Sequence, residues 1–181
     1  KHLVRQILAF SRKGGNAKRP LSLNKAVNEA ASVLHRTVPN MIRLEFDLAE
    51  DLHPINADFL QMQQIVFNLV GNAADAIAEN GVIKVSTRNL PLSGKACGHC
   101  GQLLNGDFVS LAVRDNGAGI DPKVLPRIFE PFFTTKDIGK GTGMGLAVCQ
   151  RIVDDHHGSL AFRNIADGGA CVTVRLPCIQ P

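Results

Sequence analysis

A long amphipathic helix with an unusual polar face is the feature that most restricts how this chain folds. Apolar residues recur at helical spacing and predict one buried stripe: Phe59, Met62, Ile65, Val66, Leu69, Val70, Ala73 and Ile77. Asp58 and Gln61 form a capping-box pattern before this stripe, and Gly81 follows it as a stop signal. The sequence therefore predicts a helix from about Phe59 to Asn80.

A second face of this helix carries amides and acids but neither lysine nor arginine: Gln61, Gln64, Asn68, Asn72, Asp75 and Glu79. An asparagine inside a helix costs up to about 0.7 kcal/mol relative to alanine, because its amide competes for backbone hydrogen bonds. A hydrated surface is the usual explanation of such a face, whereas the bias towards amides favours a ligand or metal site. The helix alone leaves both interpretations open.

Length and composition restrict the class of protein. The chain has 181 residues, 45% of them hydrophobic, which suits one packed domain with a short appendage. Its net charge is only +4 and it has no Trp or Tyr to stack on bases, so we expect no nucleic-acid partner. No apolar run approaches the roughly 20 residues of a membrane span, so we expect no membrane contact by this piece. Five cysteines without a disulfide framework favour a reducing, cytoplasmic setting.

The remaining patterns predict the fold class. Alternating or apolar runs predict five strands, at residues 42–49, 82–90, 107–117, 158–165 and 168–177. Two further helices are expected, one capped by Ser22 and ending before Pro39, the other over residues 144–157. Residues 91–107 are rich in Gly, Pro, Ser and Cys and predict a loop or a hairpin excursion. The prediction is a two-layer α/β (α+β) sandwich, with three main helices on one face of a mixed five-stranded sheet.

The first residues predict the domain organisation. An apolar helical stripe is already in phase over residues 1–13, which is typical of the end of a longer helix. Residues 14–21 have the composition of a linker, and residues 22–181 form the main domain. We therefore expect this chain to belong to a larger protein.

Two glycine clusters mark where chemistry is expected. In "DNGAGI", Asp115 ends a strand, and Gly117 and Gly119 permit a sharp turn and the close approach of a ligand. In "GKGTGMGL", four glycines precede a helix whose N-terminal N–H groups suit a phosphate. The second cluster is not a Walker A loop, since no Gly-Lys-Ser/Thr ends it. An ordinary turn is the simplest explanation of either cluster taken alone.

Four motifs in order, "NLVGNAADA", "DNGAGI", "FEPFF" and "GTGMGL", resemble the N, G1, F and G2 boxes of the catalytic ATP-binding domain of sensor histidine kinases. These kinases share the Bergerat fold of the wider superfamily of gyrase, the heat-shock chaperone of ninety kilodaltons and the mismatch-repair proteins. The likeness extends from about Ser22 to Pro177 and includes the closing "VTVRLP". One box is weak evidence, whereas four in this order are specific.

The resemblance implies a site for ATP or ADP and for Mg²⁺. Asp115 would accept a hydrogen bond from the adenine amino group, and Asn72 would hold Mg²⁺ through its amide oxygen. Either Lys136 or Lys140 would neutralise the γ-phosphate, and the two alternatives stay open. The other positions expected to bind nucleotide are Asn68, Gly117, Gly119, Ile120, Phe129, Thr134, Thr135, Gly141, Thr142, Gly143, Met144, Gly145 and Leu146.

Asn68 bears on the type of reaction. The hydrolases and serine kinases of the superfamily typically carry a glutamate at this position, where it acts as a general base. An amide cannot take a proton, so Asn68 disfavours an ATP-hydrolysing module, and the intact Asp115 and Asn72 disfavour a nucleotide-free scaffold. A histidine kinase, with Asn68 and Lys136 as catalytic residues, is the remaining implication. Asp75 lies where some relatives carry lysine.

The resemblance also implies partners outside this chain. None of the six histidines is followed by the acidic residue usual at a phosphoacceptor site, so the acceptor is expected on an upstream dimerisation hairpin, which residues 1–13 would end. The full-length protein is expected to be a homodimer that passes its phosphoryl group to a response-regulator receiver domain. The sequence leaves a membrane anchor open. His156 and His157 are expected at a helix C-terminus, where cations suit the dipole.

Cys97 and Cys100, in "CGHCG", are an additional feature. They supply two thiolates, whereas a closed structural zinc site needs four ligands. A turn with two reduced thiols is the simplest interpretation. A half-site completed by a second chain or by Cys171 or Cys178, and a redox switch, are the alternatives.

Overall fold

The computed structural model describes residues 17–96, 103–136 and 141–179. Within them the elements are β1 (Arg19–Leu21), α1 (Leu23–Thr37), β2 (Ile42–Leu48), β3 (Ile55–Ala57), α2 (Phe59–Asp75), β4 (Gly81–Ala96), β5 (Leu103–Asp115), α3 (Gly145–Asp155), β6 (Ser159–Asn164) and β7 (Ala170–Pro177). A single 3₁₀ turn (Leu125–Arg127) lies between β5 and α3. The predictions made for residues 1–13, for Cys97 and Cys100 and for Lys140 fall outside the described residues.

The predicted sandwich is confirmed. The five-stranded sheet has the order β2-β4-β5-β7-β6, with β2 parallel to β4 and all other neighbours antiparallel. Strand residues alternate, so that Ile83 and Val85 are buried while Lys84 and Arg88 reach the other face and contact Asp47. The three helices cover the apolar face, and α2 packs between α1 and α3.

A second, two-stranded sheet was not predicted. β1 pairs antiparallel with β3, from Arg19 opposite Ala57 to Leu21 opposite Ile55. The linker predicted from composition at residues 14–21 includes these three residues, and three residues with a central proline are too few to show strand periodicity. Leu21 and Ile55 are nevertheless buried in the core, so the folded domain begins before Ser22.

Helix α2 begins where predicted but ends earlier. The Asp58 carboxylate caps it by accepting hydrogen bonds from the N–H groups of Leu60 (2.8 Å) and Gln61 (3.2 Å). The helix ends at Asp75, five residues before the predicted end, and Ala76 forms its C-cap. The Ala76 carbonyl accepts the N–H of Ala118 (3.1 Å), which a longer helix would use internally. Tertiary bonding to the loop after β5 therefore replaces the last predicted turn.

The described parts of the excursion at residues 91–107 pair as the two arms of a hairpin, which is one of the two predicted alternatives. β4 and β5 continue into it, with a register shift between Leu92 and Lys95. Leu92 and Phe108 are buried there with Leu90 against them, and this small cluster is separate from the main core. Within the described ranges, no helix is long and apolar enough to cross a bilayer.

Candidate functional site

The predicted site residues fall into two clusters, and the first surrounds the end of β5. Asp115 is buried, with 6% of its surface exposed. Its Oδ1 accepts hydrogen bonds from the N–H groups of Gly117 (2.8 Å) and Ala170 (3.2 Å). Gly169 has a φ of +86°, and a Cβ there would lie 2.1 Å from the Asp115 carbonyl oxygen. The carboxylate is thus oriented by the backbone of two neighbouring segments.

The loop after Asp115 is held at its far end by a residue that the sequence analysis missed. Asn164, the last residue of β6, accepts the N–H of Ile120 through Oδ1 (2.9 Å) and donates Nδ2 to the Ile120 carbonyl (2.7 Å). Gly119 turns with a φ of +74° beneath this amide, and a Cβ on Gly119 would lie 3.1 Å from Asn164 Oδ1. We call residues 115–120 with Asn164 the Asp115 corner. Asn164 follows its partner by 44 residues, so no local motif could identify it.

The loop also meets α2 and β4. A Cβ on Gly117 would lie 2.4 Å from the Ala76 carbonyl oxygen, so only glycine permits this approach to the end of α2. The Asn116 side chain accepts the N–H of Val82 (2.8 Å), which ties the loop to the start of β4. The first glycine cluster therefore serves close backbone packing.

The amide face of α2 packs against the start of α3. Asn68 Nδ2 donates to the carbonyl of Gly145 (3.2 Å), and a Cβ on Gly145 would lie 3.7 Å from Asn72 Nδ2. Burial raises the pKa of the Cys149 thiol to about 12, and a hydrogen bond with the Asn68 side chain opposes that shift. Asn68 is half-buried, so the hydrated-surface interpretation is wrong for this part of the helix.

The second cluster lies at the end of α2. Lys136 Nζ is 2.5 Å from Asp75 Oδ2 and 3.4 Å from Asn72 Oδ1. The Lys136 N–H is bonded to Thr134 Oγ1 (3.2 Å), whereas Thr135 is exposed. The segment after the F box thus reaches the amide face predicted to bind metal. We call Asn72, Asp75, Lys136 and residues 141–145 the Lys136 corner.

The G2 glycines pack against the F box. Phe132 donates its N–H to the Gly143 carbonyl (3.0 Å), and a Cβ on Gly143 would lie 2.3 Å from the Phe132 carbonyl carbon. Both residues have positive φ, +68° for Phe132 and +63° for Gly143. Met144 is buried and its N–H bonds to Thr142 Oγ1 (3.3 Å). The two motifs, separate in sequence, form one backbone unit.

Phe129 lines a cleft together with residues of the 3₁₀ turn and of β6. Its ring packs against Phe162, with 6.0 Å between centroids. Both rings line a cleft of about 590 Å³ together with Leu125, Pro126, Glu130, Gln150, Leu160 and Ala161. Leu146 packs against the main core. Of the three F-box phenylalanines, Phe132 is strongly exposed, at 72%.

The histidines at the end of α3 differ from the prediction. His156 lies at the C-cap but is buried, accepts the Asp58 N–H at Nε2 (3.4 Å) and donates Nδ1 to the Ile152 carbonyl (2.7 Å). Burial lowers the pKa of His156, and the nearby Lys18 lowers it further. His156 is thus a neutral imidazole that links the start of α2 to the end of α3, and not the cation expected to stabilise the helix dipole. His157 is exposed.

The oxygen atoms of the Lys136 corner suit a hard cation. Asn72 supplies an amide oxygen and Asp75 a carboxylate one turn later. Across residues 17–96, 103–136 and 141–179, no group of three or more His, Cys, Asp and Glu side chains is placed to hold a metal ion. A cation bound here would complete its coordination with water molecules or with substrate oxygens, as Mg²⁺ at phosphates commonly does.

Comparison with known sequences gives one consistent family. Residues 57–180 match the family model described as histidine kinase-, DNA gyrase B- and HSP90-like ATPase. The sensor kinase CckA of Brucella abortus (strain 2308) is 40% identical over 175 residues, which cover 97% of this chain and 18% of that protein. The signal transduction histidine-protein kinase AtoS of Escherichia coli (strain K12) is 36% identical over 177 residues, covering 97% and 26%. The chain thus spans well under half of these curated relatives.

Solved structures show the same fold. The nucleotide-free catalytic domain of histidine kinase ThkA superposes with a TM-score of 0.71 at 29% identity, covering 89% of this chain and 95% of that one. ThkA in complex with the response regulator protein TrrA gives a TM-score of 0.74 at 25% identity, covering 98% and 47%. Full-length ShkA in complex with AMPPNP gives 0.76 at 24% identity, covering 99% and 36%, a likeness of fold alone.

Proposed function

Because the chain belongs to the family of histidine kinase-, DNA gyrase B- and HSP90-like ATPases, we propose that it transfers the γ-phosphoryl group of ATP to a histidine on a separate helical hairpin. Within this family it is an ATP-binding catalytic domain of the sensor histidine kinase type. The hairpin, the dimer it forms and the identity of the acceptor belong to the proposal.

One observation carries the proposal: the end of α2 contacts both corners. The Ala76 carbonyl binds the loop that follows Asp115, whereas Asp75 and Asn72 contact Lys136. A nucleotide whose base lies at Asp115 and whose phosphates lie at Lys136 would extend across this helix end. The buried carboxylate would select the adenine amino group, since one polar group in an apolar pocket sets orientation.

The phosphate chemistry would depend on charge and position. Lys136 and the N–H groups of residues 141–145 would bind phosphate oxygens at the start of α3. Mg²⁺, held through Asn72 Oδ1, would supply neutralisation of phosphate charge. Asn68 would hold α3 against α2 through Gly145, which keeps the glycine loop at the metal-binding amide. Because an amide cannot accept a proton, Asn68 supports transfer to a nucleophilic histidine over water activation.

The proposed partners follow from the same chemistry. The histidine would lie on the dimerisation hairpin, for which residues 1–13 would provide the end of the second helix and residues 14–18 the connection. A receiver-domain aspartate would then accept the phosphoryl group; the related ThkA was solved in complex with a response regulator protein. A cytoplasmic setting and a homodimeric full-length protein complete the proposal.

Calorimetric titration with ADP and with a non-hydrolysable ATP analogue, each with and without Mg²⁺, tests the proposal. We expect binding of both nucleotides, stronger for the ATP analogue when Mg²⁺ is present. Asn72→Ala should remove most of the Mg²⁺ dependence, while Asn80→Ala, an exposed asparagine beyond the same helix, should retain it. Absence of adenine-nucleotide binding would refute the proposal, and multiple turnovers of ATP hydrolysis by this chain would instead establish the hydrolase alternative.

A further inference from the structure

The Lys136 side chain is fixed at both ends. Its ammonium contacts Asp75 Oδ2 (2.5 Å) and Asn72 Oδ1 (3.4 Å), which lie one helical turn apart on the same face of α2. Its stem lies along the glycine loop, where a Cβ on Gly141 would be 3.1 Å from Lys136 Cδ and 3.2 Å from Lys136 Cβ. The ammonium therefore lies between the amide that suits a metal and the loop that suits phosphate.

Without an anionic partner, the Lys136 side chain would not stay in this one position. Its flexible four-carbon stem loses rotamer freedom when it is held in one place, and side-chain exposure of 33% leaves water as a competitor. The Asp75 carboxylate is the anion that compensates this loss. An ammonium has three N–H donors, so one can stay on Asp75 while the other two turn towards phosphate oxygens, which leaves Asn72 Oδ1 available for Mg²⁺.

The position of Asp75 determines which of two roles it has. Asp75 is the last residue of α2, where its negative charge adds to the negative end of the helix dipole. If Lys136 left Asp75 when nucleotide bound, that carboxylate would face the phosphates without its ion-pair partner, and only the Mg²⁺ proposed at Asn72 would offset the repulsion. Keeping the ion pair during binding avoids this repulsion. We therefore expect Asp75 to stay paired with Lys136 in the nucleotide complex, rather than to act as a latch that releases the lysine when nucleotide binds.

We infer that Asp75 is a positioning residue, which holds the Lys136 ammonium where the terminal phosphate binds and so makes the site prefer nucleoside triphosphate to diphosphate. This inference rests on the proposed function and assigns a role to a residue that does not itself touch the nucleotide. It assigns a role to Lys136, while Lys140, the other lysine named from the sequence, lies outside the described residues.

The test measures the ratio of the dissociation constants for ADP and a non-hydrolysable ATP analogue, with Mg²⁺ present. We expect Asp75→Asn to lower this preference for triphosphate roughly three- to fivefold, since a partly exposed ion pair contributes about that much. Lys136→Ala should lower it at least as far, and the double variant no further than Lys136→Ala, because Asp75 acts only through Lys136. Asp75→Glu should restore most of the preference.

Glu79→Gln is the matched control, since this acid is exposed four residues beyond Asp75 and should leave the ratio unchanged. Tighter binding of the ATP analogue by Asp75→Asn would overturn the inference in favour of a latch, and additive losses in the double variant would overturn it in favour of an independent role. If both nucleotides bind and Asp75→Asn leaves the ratio unaltered, only this inference fails. If the unaltered chain binds neither nucleotide, the proposed function fails with it.

Discussion

The two corners of the site are built in different ways. In the Asp115 corner the carboxylate itself is buried, and the loop around it is held by hydrogen bonds between main chain and short side chains, as at Gly117, Ala170 and Ile120. The Lys136 corner depends on a long side chain that joins two segments through a partly exposed ion pair. Backbone-held groups need little ordering when a ligand arrives, whereas an exposed ion pair is weak and screened by salt. The first corner should therefore determine affinity for the base, and the second the response to phosphate number and salt.

The largest effect is expected at Asp115. Asp115→Asn keeps the shape but replaces a charged acceptor by a neutral amide, and hydrogen bonds to charged groups contribute about 1.5 to 3 kcal/mol. We expect binding of ADP and of the ATP analogue to weaken by the same factor, roughly 10- to 100-fold. Asp121→Asn, an exposed acid one residue beyond the same loop, should bind normally. Calorimetry that finds wild-type affinity for Asp115→Asn would place the base elsewhere.

A smaller loss of nucleotide affinity is expected when Asn164, which holds the loop of the Asp115 corner, is replaced. Asn164→Ala removes both hydrogen bonds to Ile120, which are exposed and together contribute about 1 kcal/mol. Affinity for ADP should fall roughly fivefold without loss of the Mg²⁺ dependence. The control is Asn105→Ala, which removes a comparable bond to the Gly94 N–H in the distant hairpin. Equal affinity in the two variants would show that the loop keeps its position without Asn164.

Salt should weaken binding at the Lys136 corner more than binding at the Asp115 corner, and this difference should be smaller than the effects of the two substitutions. Raising the ionic strength from about 0.05 to about 0.5 M shortens the screening length severalfold, and the exposed Lys136 charge should feel this more than buried Asp115. We expect the ATP analogue to lose roughly two- to threefold more affinity than adenosine over this range. Lys136→Ala should reduce the difference. A salt dependence identical for both ligands would contradict the division into two corners.

The smallest effect concerns His156, which joins the start of α2 to the end of α3. The lowered pKa of His156 means that the unfolded chain, with a value near 6.5, binds its proton more readily than the folded chain does. The contribution of His156 to the free energy of unfolding is therefore fully present above about pH 6.5. It decreases as the pH falls towards the lower pKa that His156 has in the folded chain. Urea titrations across this window should show the decrease. His156→Gln should remove it, and His157→Gln, at an exposed position, should keep it.

Much of the fold could be predicted because its signals are local. The apolar stripe of α2, its Asp58 cap and the alternation of the strands depend on residues within one or two turns of one another. The end of α2 and the β1–β3 pair could not be predicted in the same way. The helix ends before Ala76, whose carbonyl accepts the N–H of Ala118 from a distant loop. Residues Arg19–Leu21 form a strand only because Ile55–Ala57 lies beside them.

The site follows the same division. Four motifs contain most residues of the two corners, and in the structure Lys136 Nζ lies 3.4 Å from Asn72 Oδ1. The roles implied for these residues towards nucleotide and metal stay predictions. The contact of Asn164 with Ile120 and the pairing of Asp75 with Lys136 were not predicted, since the partners lie 44 and 61 residues apart in the chain. Phe129 packs its ring against Phe162, and its expected contact with the nucleotide stays a prediction. The zinc, thiol and redox interpretations of Cys97 and Cys100 stay predictions.

The sequence by itself determined the family, the layers of the fold and the residue types of the site, because periodicity, caps and motifs are properties of neighbouring residues. Only the tertiary structure decided which side chains support others. It showed that Asn68 joins α2 to α3, that His156 is buried and favours its neutral form, and that Asp75 pairs with Lys136. Such contacts join residues far apart in the chain, and their energies depend on burial and distance, which exist only once the chain has folded.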